Sequence, residues 1–158
     1  MQLDIVIPCF NEEEVLRSTH SRVRSVLEEV KKKKLIDDFN IIYVDDGSTD
    51  GTFEILDEFS LEEKFVKALS FSKNFGHQAA LSAGLRIAEG DAVISLDADL
   101  QDPPELIDST FSDSSGYYSL NLEGGLYLVE WSKNGYIPSE LGGFFHGGLD
   151  STFTMNDV

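Results

Sequence analysis

The sequence predicts an α/β fold, a parallel β-sheet flanked by helices, over residues 1–108. Four short apolar runs rich in β-branched residues are typical of buried strands, and amphipathic helical patterns separate them. Strands that alternate with helices imply parallel pairing through right-handed crossovers. In such sheets ligands bind beyond the carboxyl ends of the strands, and polar clusters follow the first, second and fourth apolar runs.

Each element has a local signal. The apolar runs predict strands at 3–7, 40–44, 65–71 and 92–96, and helical spacing predicts helices at 15–30, 52–59 and 77–88. Asn11 and Glu14 have the spacing of a capping box, which predicts that the first helix opens at Asn11. Pro103 and Pro104 indicate a further helical turn, where proline is tolerated.

Composition and charge exclude several classes of function. Twelve Lys and Arg against 29 Asp and Glu give a net charge of −17, which repels a phosphate backbone, so we expect no nucleic-acid partner. A single cysteine, Cys9, excludes an internal disulfide and a cysteine-based zinc site. The sequence also lacks the glycine-rich signatures of Walker-type NTPases and dinucleotide-binding enzymes, and the nucleophile elbow of α/β-hydrolases.

The composition and hydrophobic pattern of the chain change near Asp108. Residues 109–158 hold short runs of Gly, Ser, Tyr and Phe in place of the alternating strands and helices. We therefore divide the chain into a first domain, residues 1–108, and a β-rich tail, residues 109–158. No apolar run reaches the roughly 20 residues that span a bilayer, and the amino terminus lacks a signal-peptide pattern, so we expect a cytoplasmic protein.

The acids after the fourth strand form the first candidate site. Asp97, Asp99 and Gln101 alternate along the chain, so in extended backbone their side chains point the same way. Two carboxylates and an amide oxygen suit Mg²⁺ or Mn²⁺, ions that proteins often hold through a few carboxylates together with substrate phosphates. A solvated acidic turn is the alternative for so short a motif.

Two more polar clusters follow the first and second strands. Asp45 and Asp46 precede a Gly-Ser turn, where a buried carboxylate can accept hydrogen bonds from a base ring or a ribose hydroxyl, or can serve the turn itself. Residues 8–12 offer backbone groups, the aromatic ring of Phe10 and another acid. Cys9 is interpreted as a small buried side chain, because no histidine pairs with it in a known motif.

Four segments of the chain resemble the amino-terminal half of a family-2 glycosyltransferase: IVIPCFNEEEVL, IIYVDDGSTDGT, FSKNFGHQAALSAGL and GDAVISLDADLQDPPELI. They occur in order over residues 3–107 and are most similar to dolichyl-phosphate mannose synthases and to bacterial enzymes that load glucose onto undecaprenyl phosphate. The resemblance implies a Rossmann-like, GT-A-type half-domain with a parallel sheet, which binds a nucleotide sugar and is truncated before its acceptor side.

The resemblance also implies roles for individual residues. The nucleoside is expected to lie among Pro8, Phe10, Glu12, Val44 and Asp46, and Phe10 stands where Tyr is common. The metal ion and the diphosphate are expected to be held by Asp97, Ala98, Asp99 and Gln101. Lys73 is either close to the phosphates or an ordinary surface lysine.

The implied activity is a metal-dependent, inverting transfer of a hexose from UDP-glucose or GDP-mannose to a polyprenyl phosphate. A lipid acceptor would place the protein at the inner face of a membrane. One alternative is a catalytically incomplete module that binds nucleotide diphosphate and metal, because no acceptor-side base is visible after Ile107. Another is an interaction protein in which the tail carries the role.

The tail has a separate and weaker signal. Alternating residues on either side of Gly124 and Gly125 predict a β-hairpin, and residues 112–140 resemble part of a carboxypeptidase-regulatory-like β-sandwich. About 50 residues cannot supply the roughly seven strands of a complete sandwich. The tail is therefore either a β extension that covers the open edge of the first domain, or a fragment joined from an unrelated gene.

Overall fold

The protein is described by a computed structural model over residues 1–99, 104, 105 and 107, and over five short strands farther along the chain. The main sheet contains the four parallel strands β1 (Gln2–Cys9), β2 (Asp38–Asp45), β3 (Val66–Ser70) and β4 (Ala92–Ser95). They lie in the order β3-β2-β1-β4. The chain adds β2 and β3 on one side of β1 and then crosses over to add β4 on the other side, so the strand order reverses between the neighbours β1 and β4. The predicted parallel α/β fold is confirmed.

Three helices cover the two faces of this sheet: α1 (Leu16–Lys32), α2 (Thr52–Glu62) and α3 (His77–Ile87). Because strand residues alternate between faces, Ile5 and Ile7 join one apolar cluster with α1 and α2. Val6 and Val44 join a second cluster with Ala80 and Leu81 of α3. β1 and β2 are buried on both faces over most of their length, which explains their nearly continuous apolar sequences. No helix in the described part of the chain is both long and apolar enough to cross a membrane.

The first helix begins later than the sequence predicts. α1 starts at Leu16 with no side-chain cap, and Asn11 lies in the left-handed region at φ 57°. The Asn11 side chain instead accepts a hydrogen bond from the Thr49 N–H at 2.9 Å, and the Asn11 N–H donates to Ser48 Oγ at 2.9 Å. The capping-box prediction is wrong, because the loop after β1 uses these groups to bind the loop after β2.

The described strands of the tail are β5 (Ser119–Leu122), β6 (Leu126–Tyr127), β7 (Val129–Trp131), β8 (Phe145–His146) and β9 (Ser151–Thr154). β5 pairs with β9 and β6 pairs with β8, both antiparallel. The hairpin predicted across Gly124 and Gly125 is therefore wrong, since the strands on either side of these glycines take their partners from the end of the chain.

One strand of the tail belongs to the main sheet. β7 pairs antiparallel with β4, with Val93 opposite Glu130, and extends the sheet to five strands. Of the two alternatives for the tail, this pairing favours a β extension at the open edge of the first domain, while the domain division itself stays a prediction. The boundary at Asp108 and most of the stretch that resembles a β-sandwich lie outside the described residues and stay predictions.

Candidate functional site

A cleft of about 460 Å³ opens at the carboxyl edge of the sheet, where β1 and β4 lie side by side. Chain reversal between adjacent parallel strands leaves such a crevice at this edge, the usual place for ligands in open α/β sheets. Four segments line the cleft: the end of β1 and the loop after it, the residue after β2, the start of α3, and the end of β4 with the turn after it. The lining residues are Pro8, Cys9, Phe10, Glu12, Asp46, Asn74, His77, Ala80, Leu81, Ser95, Asp97, Ala98 and Asp99.

The acids after β4 lie in this cleft, as the sequence predicts. Asp97 and Asp99 are exposed and line the wall, while Ala98 between them is 3% exposed. The backbone turns at Ala98 and Asp99, so the two carboxylates reach the same cleft through a turn and not through the extended backbone that alternation suggested. Gln101, the third predicted ligand, lies outside the described residues.

Glu12 brings a third carboxylate to the same place. Its N–H donates to Thr52 Oγ1 at 2.8 Å, which fixes the loop after β1 against the start of α2. Burial raises the pKa of Glu12 above its usual value, and the negative charges of Asp99, Asp50 and Asp97 raise it further. The cleft therefore holds a local excess of negative charge, which a bound cation would offset.

Asp46 is nine-tenths or more buried and shapes the opposite wall. Its Oδ1 accepts the Phe75 N–H at 2.7 Å and its Oδ2 accepts the Gly76 N–H at 2.8 Å, directly before α3 begins. Gly47, at φ +68°, lets the turn approach the other loop, since a Cβ there would lie 2.2 Å from the Lys73 carbonyl carbon. Both carboxylate oxygens of Asp46 thus hold the loop 72–76 that places Asn74 and His77 in the cleft.

The other predicted site residues divide into two groups. Pro8 and Phe10 line the cleft, and the Phe10 ring is 43% exposed at its mouth. Val44 is fully buried beneath α3, because alternation along β2 turns its side chain into the core, so only its backbone is left for a nucleoside. The Lys73 ammonium lies over the ring of Phe75, 5.1 Å from its centroid.

Cys9 behaves as the sequence predicts. It is 2% exposed, and its Sγ donates to the Ile7 carbonyl at 3.5 Å. Burial raises the pKa of the Cys9 thiol, and the acids Glu12 and Asp45 add to that effect, so the reactive thiolate is disfavoured.

Sequence reasoning missed several residues of the cleft. Asn74 and His77 come from the loop before α3 and from its first turn, and Ser95 is the last residue of β4. The segment 72–76 follows a strand, so the rule that places ligands at strand ends was the signal that could have found Asn74 and His77. α3 also begins at the cleft and brings the positive end of its helix dipole there.

The donor set fits a divalent cation held jointly by the protein and a phosphate ligand. No group of three or more His, Cys, Asp or Glu side chains with metal-binding geometry occurs among the described residues. Two exposed carboxylates, Asp97 and Asp99, with a third acid nearby, suit a hard cation that keeps water or phosphate oxygens as further ligands.

Sequence comparisons agree with this geometry. The family model "Glycosyl transferase family 2" matches residues 4–112. The chain is 46% identical over 107 residues to YkcC, an uncharacterised glycosyltransferase of Bacillus subtilis, an alignment that covers 68% of this chain and 32% of that protein. It is 42% identical over 107 residues to the bactoprenol glucosyl transferase of Shigella phage SfV, covering 68% of this chain and 33% of the phage protein. The chain thus spans about a third of the length of these curated relatives.

Solved structures share the fold. A mannosyltransferase from Pyrobaculum calidifontis, PcManGT, in complex with GDP-Man and Mn²⁺, superimposes with a TM-score of 0.55 at 21% identity over 67% of this chain and 30% of that chain. S. aureus TarS in complex with UDP-GlcNAc gives a TM-score of 0.52 at 24% identity, covering 63% of this chain and 27% of TarS 1–349. The chain therefore belongs to glycosyl transferase family 2 and has the Rossmann-like GT-A fold over the part that these proteins share.

Proposed function

We propose that this chain binds a nucleotide sugar together with Mg²⁺ or Mn²⁺ and acts in the transfer of a hexose to a polyprenyl phosphate. The observation that carries the proposal is the meeting of Glu12, Asp46, Asp97 and Asp99 in one cleft, although they follow three different strands. Single acidic turns are common on protein surfaces, but acids from three strand ends at a switch point make a site suited to a nucleotide and a cation.

The residues take separate roles in this proposal. The Phe10 ring at the mouth and the Pro8 wall offer apolar faces to the base, while the loop held by Asp46 closes the far side. Asp97 and Asp99 would hold the cation, together with Gln101, and the cation when bound neutralises the charge that develops on the diphosphate leaving group. With the cation bound, the negative charge of Glu12 would be attracted by the cation as well as repelled by the other acids.

The identity of donor and acceptor rests on the relatives. Several relatives at 42% identity are named bactoprenol glucosyl transferase, which supports a polyprenyl phosphate acceptor and UDP-glucose as donor. The complex of the mannosyltransferase with GDP-Man and Mn²⁺ keeps GDP-mannose as the other donor. A lipid phosphate is already anionic and needs little help from a general base, and its attack from the face opposite the diphosphate would invert the anomeric carbon.

A second candidate function is a binding module that transfers nothing. The observation that favours it is that the region shared with the family holds the whole set of described cleft residues for a nucleotide and a cation, which accounts for binding without transfer. Its distinguishing property would be tight metal-dependent nucleotide binding without turnover.

Two measurements separate these functions. Calorimetry of the full chain with UDP and with GDP, in Mn²⁺ and in EDTA, is expected to show binding that depends on the metal. A transfer assay with radiolabelled UDP-glucose or GDP-mannose and a polyprenyl phosphate then distinguishes an enzyme from a binding module. Absence of metal-dependent binding to either nucleotide would overturn both candidates.

Asp99→Asn tests the cation site within this proposal. We expect the metal-dependent affinity for nucleotide to fall by about tenfold or more, since the loss of even an outer partner of a metal costs that much. Asp57→Asn, at an exposed position of α2, is the matched control. Unchanged affinity in Asp99→Asn would remove Asp99 from the cation site.

A further inference from the structure

The turn that carries Asp97 and Asp99 is hydrogen-bonded to helix α1 through the side chain of Thr19. Thr19, on the buried face of α1, donates its hydroxyl hydrogen to the Ala98 carbonyl at 2.6 Å, across 79 residues of sequence. The same hydroxyl lies 3.2 Å from the carbonyl of Val15, one turn earlier in the helix. A hydroxyl has one hydrogen, so the shorter distance identifies Ala98 as the principal acceptor.

A second contact from α1 reaches Glu105, farther along the chain. Arg22, three residues after Thr19, donates from Nε and one terminal nitrogen to both oxygens of Glu105, at 3.0 and 2.9 Å. Ile107, just beyond, is 1% exposed and packs in the apolar cluster that α1 shares. α1 therefore contacts the chain both at Ala98 and at Glu105.

We propose that Thr19 is a positioning residue for the cation site, a role that rests on the proposed function. The Ala98 carbonyl belongs to the peptide that joins Ala98 to Asp99, so fixing it restrains the short backbone segment from which Asp97 and Asp99 project. Both acids are exposed and carry charges that repel the neighbouring acid Glu12, so an open turn would favour their separation. Thr19 thus reduces the free-energy cost of rearranging the turn when a cation binds.

This role differs from the common one of a helical threonine. Threonine within a helix often bonds only to the carbonyl four residues earlier, a local bond that reaches no other part of the chain. Here the stronger bond leaves the helix and ends between two candidate ligands. Replacement by valine would keep the volume of the buried side chain and delete the hydroxyl, which removes the donor to Ala98 and the longer contact with Val15.

The test compares Thr19→Val with Thr19→Ser in the full chain. Nucleotide affinity is measured for UDP and GDP in Mn²⁺ and in EDTA, and amide exchange is followed over 95–99 by mass spectrometry. We expect Thr19→Val to reduce the metal-dependent gain in affinity about 3- to 10-fold, the factor that one buried hydrogen bond supplies. Exchange at 95–99 should accelerate, and Thr19→Ser, which keeps the hydroxyl, should restore both properties. Thr19→Ala serves as the second variant if the valine protein does not fold.

The outcomes separate this inference from the proposed function. Wild-type exchange and a wild-type metal dependence in Thr19→Val or Thr19→Ala overturn the role of Thr19 alone. Equal losses in Mn²⁺ and in EDTA would also overturn it, since they indicate general destabilisation. A wild-type chain that binds no nucleotide in Mn²⁺ overturns the proposed function, and accelerated exchange in Thr19→Val would then still show that Thr19 holds the turn.

Discussion

At the scale of single residues, the Glu12 carboxylate is affected both by burial and by other acids. Burial raises the pKa of Glu12 first, and the charges of Asp99, Asp50 and Asp97 raise it further. A carboxyl group whose pKa is higher in the folded chain than in the unfolded chain makes the folded chain less stable at neutral pH. That destabilisation is relieved as the pH falls through the folded pKa, because the folded chain then binds the proton more readily.

We therefore expect Glu12→Gln to stabilise the ligand-free chain at neutral pH. The gain should disappear as the pH is lowered through the pKa of Glu12 in the folded chain toward its usual value of 4.5. Urea unfolding of both proteins between about pH 4 and about pH 8 measures this difference. Glu14→Gln, at an exposed position of the same loop, is the control. A gain that is constant across this pH range would show that the pKa of Glu12 is not raised in the folded chain, either by burial or by the neighbouring acids.

Asp46 illustrates the opposite case, a buried acid with both oxygens satisfied. Asparagine at this position would present an amide NH₂ to one of the two N–H donors of Phe75 and Gly76. We expect Asp46→Asn to lower the free energy of unfolding by about 1–3 kcal/mol, the usual result of leaving a buried donor unpaired. Urea unfolding with Asp57→Asn as control measures it. A change no larger than that of the control would mean that the loop 72–76 does not depend on Asp46.

At the scale of elements, the parallel strands and the helices could be predicted because their signals are local. Ile5 and Ile7 lie in a continuous apolar run, and the buried positions of α1 recur at helical spacing. Errors arose where a distant group decides the local structure. Asn11 has the right spacing for a cap but binds Thr49, and β5 pairs with a strand at the end of the chain.

The candidate site divides in the same way. Asp97 and Asp99 could be placed at a strand end from the sequence alone, because the fourth apolar run ends just before them. The hydrogen bonds that arrange the site could not be predicted, since Asp46 reaches Phe75 across 29 residues and Thr19 reaches Ala98 across 79. Pairwise contacts at such separations leave no periodic or motif signal in one sequence.

The packing of α3 gives a prediction at the element scale. Gly84 lies in the interior of α3, and a Cβ there would stand 2.4 Å from Val6 Cγ1 and 3.1 Å from Val44 Cγ2. Alanine normally stabilises a helix interior by about 0.5–1 kcal/mol relative to glycine, but here it would push the helix away from two stiff, buried valines. We expect Gly84→Ala to destabilise the chain by about 1–3 kcal/mol, as other overpacked cores do.

The control for Gly84→Ala lies on the same helix. Ser82 is exposed, so Ser82→Ala tests helix propensity without a change in packing, and should be neutral or slightly stabilising. Thermal unfolding of the three proteins gives the comparison. If Gly84→Ala is as stable as Ser82→Ala, then α3 does not pack against β1 and β2 as closely as its glycine implies.

At the scale of the whole molecule, the net charge of −17 acts on any anion that approaches the cleft. A nucleoside diphosphate is itself anionic, so without a metal its association is opposed by the field of the chain, and added salt screens that field. Raising NaCl from about 25 to about 250 mM in EDTA should therefore strengthen UDP and GDP binding, by about two- to fivefold. The sign is opposite to that of most phosphate-binding sites, in which salt weakens affinity.

The metal should reverse this dependence. Mn²⁺ is attracted by the same field, so its own affinity for the chain is expected to fall over the same range of NaCl. Calorimetry at the two salt concentrations measures both trends, and uridine or guanosine, which carry no charge, should bind with unchanged affinity. If metal-free nucleotide binding instead weakens with salt, the cleft has a positive potential that its acids do not explain. The bound cation would then not be what allows this acidic protein to bind a diphosphate.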